Sequence, residues 1–459
     1  MERTLVELAR MVRQGEVTAS TLVDQALRRA DAHAALNAFI TLDRDGARSK
    51  ARRIDEALVK GHDAGPLAGV PVVVKDNINV AGLRTTAGTP GIELVAETSA
   101  PIVARLEAAQ AIVIGKTNLH ELAFGVTSNN AAYGAVRNAV DPARFPGGSS
   151  GGTATAIAAC IVPAGLGTDT GGSVRQPAAL CGVVGFRPTT GRVDQDGVVP
   201  SIPTLDVVGP MARTVADVAL LNAVMNDSSL PGQRDAGSLR LGIARPQAEG
   251  LSTGVAGAFG AAVSRLRQGG ATLIDVDLSA IVAACFEIGF SIGFHEMNSA
   301  MKAFLARYQP QTSLKQLVDQ IASPDVKAVY VTSVVGDGAP TDAVYGDAIG
   351  RIASIRRDYL KLLDDFGLDA VIFPTAPLEA QPIEGSEATV VLNGQVVSTL
   401  ETYIRNNAST GVYGAPGLSI PIGKTGDGLP VGLEIDGRPD GDIDVLAIGQ
   451  CIEALLATD

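Results

Sequence analysis

Residues 145–191 read FPGGSSGGTATAIAACIVPAGLGTDTGGSVRQPAALCGVVGFRPTTG. Glycine recurs through the stretch, yet the residues between the glycines are varied, so it is not low complexity. So many positions without a Cβ imply backbone packed on backbone or on a ligand, and the stretch is expected to be a loop-rich core. Within it, Gly147–Gly152 (GGSSGG) and Thr168–Arg175 (TDTGGSVR) set serines among glycines, where a hydroxyl has little steric cover. In Thr170-Gly171-Gly172-Ser173, consecutive backbone N–H groups can converge on one point. An oxyanion developing on an attacked carbonyl needs that arrangement.

On the N-terminal side, Val70–Lys75 (VPVVVK) reads as a short buried strand that ends on a lysine, followed by Asp76 and Asn77. An ammonium beside buried valines loses hydration, so its pKa falls, and the neutral amine can act as a base toward a hydroxyl. Taken alone, Lys75 would more readily cap the strand end with its charge in solvent; the two serine segments favour a buried base instead, and such a base removes the need for a histidine. A phosphate loop is excluded because no lysine follows the glycines. Gly147–Gly151 formally fits the GxSxG elbow, but residues 141–146 (DPARFP) form a loop instead of the required strand, and His295 is the sole histidine downstream.

Further out, Leu5, Leu8, Met11 and Val12 recur at helical spacing, and further helices are expected over about 21–32, 47–59 and 102–109. Asn37–Leu42, Ala111–Gly115, Leu239–Ala244, Ala370–Pro374, Leu418–Pro421 and Val431–Ile435 read as strands, Val215–Met225 as a surface helix and Ile443–Leu456 as a closing helix. Strands alternating with helices argue an α/β fold, a sheet covered on both faces.

The 459 residues carry 37 Lys and Arg against 49 Asp and Glu, and 37 − 49 gives −12. That balance offers no basic footprint for nucleic acid and disfavours anionic membrane surfaces. Cys160, Cys181, Cys285 and Cys451 form no CxxC pair and read as free thiols. No histidine spacing suits a metal. The N-terminal residues lack the pattern of a signal peptide, no apolar run approaches 20 residues, and the expectation is a cytoplasmic protein without a membrane segment.

Lys75, the GGSSGG segment and DTGGSVRQPAALCGVVGFRPT together resemble the amidase signature family, and the likeness extends over nearly the whole chain. The resemblance implies an amidase-signature fold: a central mixed β-sheet covered by helices on both faces, in a single domain over 1–459. Its expected parts are an N-terminal helical region (1–60), a catalytic signature core (66–225), a variable region bearing on specificity (239–365) and a return to the sheet (366–459). It implies Ser173 as the acyl-forming nucleophile, Ser149 on an unusual cis peptide bond as proton relay, Lys75 as terminal base, and the N–H groups of Thr170, Gly171, Gly172 and Ser173 as oxyanion hole. Ala123, Gly125 and Thr127, with Ser149, are the expected substrate-binding residues. Asp169, Arg175 and Ser150 are expected to brace the loops, with direct substrate contact by Asp169 and Arg175 as the alternative. No metal and no cofactor are implied. The implied partners are a small amide and water, with a homodimer as the assembly considered. Some of Phe286, Phe290, Phe294, Tyr308, Tyr330 and Tyr345 are candidates for a wall of the acyl pocket, although for each one core packing is the expected role.

His120–Asn130, Phe373–Pro377 and Pro430–Gly437 resemble the indoleacetamide and mandelamide hydrolase branch, which implies a small monocarboxylic, aryl-containing amide, with hydrazides and anilides as relatives. Two other readings stand beside it. One is the amidase subunit of a glutamyl-tRNA amidotransferase, releasing ammonia from glutamine; residues 194–197 (DQDG) depart from the pattern expected of it. The other is a catalytically silent scaffold, which would be expected to have lost Lys75, Ser149 or Ser173.

Overall fold

In the computed structural model, which describes residues 2–457, one eleven-stranded sheet runs through the molecule. Its strands in chain order are Phe39–Leu42 (β1), Pro71–Lys75 (β2), Ile112–Thr117 (β3), Ala164–Asp169 (β4), Val184–Arg187 (β5), Val207–Ala212 (β6), Arg240–Ala244 (β7), Thr272–Val276 (β8), Ala370–Pro374 (β9), Gly417–Lys424 (β10) and Pro430–Asp436 (β11). Their spatial order is β1-β3-β2-β4-β6-β5-β10-β11-β9-β7-β8. Strands β3, β2 and β4 run parallel, as do β9, β7 and β8, while the other neighbours are antiparallel. β2 to β6, β9 and β11 are buried at every position, so both faces of the sheet are covered. That explains why β2, β3 and β9 read as short apolar runs and not as alternations.

The helical N-terminus follows its local signals. Thr4 and Glu7 form a reciprocal capping box on Leu5–Arg13 (α1), and the Thr18 hydroxyl accepts from Thr21 N–H at the start of Ala19–Ala32 (α2). Helix Arg44–Val59 (α3) begins three residues earlier than the sequence suggests, because the Asp43 carboxylate accepts from Gly46 N–H.

The glycine-rich stretch differs from its expected loop-rich form. It contains helix Gly151–Ala158 (α4), strand β4, helix Arg175–Cys181 (α5) and strand β5. The glycines sit where elements touch: a Cβ on Gly167 would lie 2.7 Å from Ser150 Oγ, so only a bare backbone lets α4 seat against β4. Helix Val215–Asn226 (α6), expected at the surface, is buried through Val215, Val218, Leu221 and Met225 and packs on β6 and on Asp442–Leu456 at the chain's end. Its near-continuous apolar sequence fits an interior helix better than an amphipathic one.

Between β8 and β9 lie the long helices Ser279–Tyr308 (α7) and Asp342–Phe366 (α8), which pack on each other. Helix α7 is, among the described residues, the one helix long and apolar enough by length and composition to cross a membrane. Glu287, Glu296 and Lys302 interrupt it in sequence, which is why no such run is apparent there. Its Cys285, Ile288 and Ile292 belong to an apolar cluster shared with Ile355, Tyr359 and Leu363 of α8. Two short helices, Thr399–Ile404 (α9) and Ala408–Tyr413 (α10), precede β10.

Candidate active site

β2 and β4 are parallel neighbours, with Val72, Val73 and Val74 opposite Ala164, Gly165 and Leu166. Both strands end at the same edge, where open α/β sheets bind ligands. Lys75 is the last residue of β2 and is fully buried. Its Nζ lies 2.7 Å from Ser149 Oγ, 2.7 Å from Thr168 Oγ1 and 3.5 Å from the Thr168 carbonyl oxygen. Among the described residues no carboxylate contacts this amine. Burial pulls its pKa down to about 7, and the more distant charges of Asp169 and Asp206 offset only part of that effect. Asn77 Nδ2 donates to the same Thr168 hydroxyl at 3.1 Å.

Ser149 stands just before α4, and the Gly148–Ser149 peptide is cis. The segment is pinned from several sides. Its carbonyl accepts from His120 N–H at 3.1 Å and from the Ser128 hydroxyl at 3.4 Å. Ser128 Oγ also donates to the Gly147 carbonyl at 2.8 Å and accepts from Gly151 N–H at 3.1 Å. Gly148 N–H donates to Gln176 Oε1 at 2.8 Å, and Gln176 Nε2 donates to the Val126 carbonyl at 3.2 Å. Ser150 ties this segment to the next one: its N–H donates to the Ser173 carbonyl at 3.2 Å and its hydroxyl to the Thr168 carbonyl at 3.2 Å.

The turn after β4 is organised by Asp169. Its carboxylate accepts from the N–H groups of Gly172 and Val174, each at 3.1 Å, and from Arg175 Nη2 at 2.9 Å and Nε at 3.0 Å. Arg187 Nη1 adds a further contact at 3.0 Å. Burial works against ionisation of Asp169, but Arg175 and then Arg187 overcome it and hold the carboxyl below its usual range. Arg175 also reaches Glu434 and Thr410, each at 2.9 Å, tying the turn to β11 and α10. Glu434 and Asp436 are both pushed up, by burial first, Glu434 to about 8. The Thr170 hydroxyl donates to Asp206 Oδ1 at 2.5 Å.

These bonds reduce the expected oxyanion set. Gly172 N–H is directed to Asp169, whereas among the described residues the N–H groups of Thr170, Gly171 and Ser173 make no hydrogen bond. Gly172 itself has φ +114°, and a Cβ there would lie 2.5 Å from Asn407 Cβ, so the turn requires glycine at this point.

Ser173 lines a cleft enclosing about 870 Å³ of empty space, its mouth included. Its hydroxyl makes no hydrogen bond among the described residues, so the chain of side-chain contacts runs from Lys75 to Ser149 and stops there. Such contacts often tighten only when substrate is bound. Ala123, Gly125, Gly148 and residues 170–173 line the cleft, as do Leu205 and Tyr403. Ser149 is fully buried behind it. Thr127 does not line it. Its hydroxyl lies 3.4 Å from His120 Nδ1, facing a neighbouring cavity, because the chain turns over the imidazole at Gly125. Phe286, Phe290 and Phe294, expected in the core, form a wall of the cleft. Tyr330 packs in a separate apolar cluster, and Tyr345 stacks on His295 with centroids 4.0 Å apart.

Thr168, Gln176 and Asp206 escape a sequence reading. Their roles depend on partners 18 to 93 residues away, and nothing local marks them. Among the described residues, no group of three or more His, Cys, Asp or Glu is arranged to hold a metal ion.

Comparison with known proteins bears on the same site. The family model described as Amidase matches residues 21–446. The mandelamide hydrolase of Pseudomonas putida is 38% identical over 475 residues, covering 99% of this chain and 92% of the relative. The indoleacetamide hydrolase of Agrobacterium vitis is 37% identical over 458 residues, covering 98% and 96%. A solved structure titled as the crystal structure of an amidase superposes with a TM-score of 0.88 at 35% identity, covering 98% of this chain and 99% of that one.

Proposed function

The chain belongs to the amidase signature family and is a hydrolase acting on amides, and from that premise we propose that it cleaves a small monocarboxylic, aryl-containing amide through an acyl-enzyme on Ser173. The observation that carries this reading is the Lys75 amine, buried without a carboxylate partner, 2.7 Å from Ser149 Oγ and with its pKa pulled down to about 7. Near neutrality about half of such amines are unprotonated.

Neutral Lys75 accepts the Ser149 hydroxyl proton as Ser149 accepts that of Ser173. Ser173 Oγ bonds to the amide carbon, and the carbonyl electron pair moves to oxygen. The N–H groups of Thr170, Gly171 and Ser173 stabilise that oxyanion. When the carbon–nitrogen bond breaks, Ser149 gives its proton to the departing nitrogen and recovers one from Lys75. Water then repeats the sequence on the ester and frees the carboxylic acid. The phenylalanine wall of the cleft and the mandelamide and indoleacetamide hydrolases among the relatives support an aryl acyl group.

Ammonia release from phenylacetamide, indoleacetamide, mandelamide and glutamine, with peptide mass spectrometry of trapped enzyme, tests the proposal. Turnover of the aryl amides with an adduct on Ser173 is the expected result. Wild-type turnover by Ser173→Ala would overturn it.

A further inference from the structure

Helix α7 presents two rows of side chains to the cleft that holds Ser173. Residues four apart share a helix face, so Cys285, Gly289 and Gly293 form one row and Phe286, Phe290 and Phe294 the adjacent one; all six line the cleft. From Phe290 onward the phenyl row is continuous. Phe290 and Phe294 have ring centroids 5.6 Å apart, and Phe294 continues to Phe124 at 6.5 Å. Phe124 precedes Gly125, whose carbonyl oxygen packs against Gly148. The aromatic wall thus runs from Phe290, 37% exposed, to the loop beside Ser149.

The small row is not uniform. A Cβ on Gly293 would come within 2.8 Å of Ile202 Cδ1, so protein closes that end. A Cβ on Gly289 would meet no atom within 4 Å beyond the backbone of its own helix turns and its chain neighbours. No packing constraint requires a bare backbone there, and glycine inside a helix is otherwise a disadvantage relative to alanine. Gly289 lines the cleft, so the space left by its missing side chain adds to cleft volume.

We infer that α7 measures the acyl group: the phenyl row packs on a flat substituent, and Gly289 sets the largest acyl group that the cleft admits. The inference rests on the proposed acyl-enzyme reading of this site and adds to it the residues that fix acyl size.

The test is the kinetics of wild type, Gly289→Ala and Gly289→Leu on acetamide, phenylacetamide and indoleacetamide. The ratio of kcat/KM for indoleacetamide to that for acetamide is expected to fall by about tenfold for alanine and about a hundredfold for leucine, the range that extra methylenes impose on a filled pocket. Both replacements are better helix formers than glycine, and thermal denaturation checks that the variants are folded. If leucine compromises folding, alanine decides the matter, since its methyl group touches nothing beyond its own helix. An unchanged ratio in a folded variant, or an equal loss on all three amides, overturns the inference and leaves the acyl-enzyme reading standing. A wild-type enzyme that releases ammonia from none of them and forms no Ser173 adduct overturns that reading itself, and the inference with it.

Discussion

Lys75 Nζ, at the end of β2, and Ser149 Oγ, inside the GGSSGG segment, stand 2.7 Å apart, and the other polar atoms within reach of the amine, among the described residues, belong to Thr168. A base in this position is active only when unprotonated. With its pKa near 7, kcat/KM should be level above about pH 8 and fall by about tenfold per pH unit well below 7. A profile that stays flat from pH 5 to 9 would contradict a neutral amine as base.

The same amine weighs against stability. Below pH 7 the folded and unfolded chains both carry the proton, and the folded state bears an ammonium in an apolar site. Between about 7 and 10.5 the unfolded chain holds the proton and the folded one does not, so this group's contribution to stability rises with pH across that window. At about 1.4 kcal/mol per pH unit, the cost below pH 7 is on the order of 5 kcal/mol. Lys75→Met should denature at a higher temperature than wild type at pH 6, with the difference narrowing toward pH 10, while losing activity.

Ser149 lines none of the cleft, so its removal should spare binding. Ser149→Ala is expected to lower kcat by about 10²- to 10⁴-fold, the range for a positioned proton-transfer group, with KM little changed. A comparable rise in KM would instead assign the residue to substrate binding.

Arg175 is fully buried and donates to Asp169, Glu434, Thr410 and the Asn407 carbonyl. Arg175→Leu leaves Glu434 without its cation and Asp169 with Arg187 alone. A loss of about 3–5 kcal/mol in urea unfolding is expected, because breaking a buried pair strands its partner. Loss of less than about 1 kcal/mol would mean that Arg187 alone holds Asp169.

Gly172→Ala forces a Cβ against Asn407 in a backbone conformation that favours glycine. The expected outcome is a drop in kcat of at least about tenfold together with a lower denaturation temperature, since the strain falls one residue before Ser173. Circular dichroism melts alongside kcat separate the two effects.

Much of this arrangement is legible before any coordinates. VPVVVK is short and β-branched, so β2 can be read directly, whereas a strand-end lysine alone could equally hold its charge in solvent, and the serine segments are what favour a buried Lys75. The glycines before Ser173 mark a hydroxyl that does line the cleft, while Ser149, read the same way, is fully buried. The elements inside 145–191 are harder, because glycine and alanine at contact positions blur the hydrophobic period that distinguishes helix from strand. The direction of Gly172 N–H is unreadable for another reason: it follows from where the Asp169 carboxylate lies, which Arg175 and Arg187 fix from two other elements. Phe286, Phe290 and Phe294 have the spacing of an ordinary core stripe. Only their position opposite Ser173 distinguishes a cleft wall from packing.

Lys75, the proposed base, hangs from a strand buried at every position, whereas one wall of the cleft comes from an excursion between β8 and β9 whose Cys285, Ile288 and Ile292 belong to a different apolar cluster from the valines of β2. Bond-breaking and recognition therefore rest on separate foundations. On the proposed reading, selection, or an engineer, could retool what the protein accepts by rewriting that one excursion, while the strand-end lysine remains as it is.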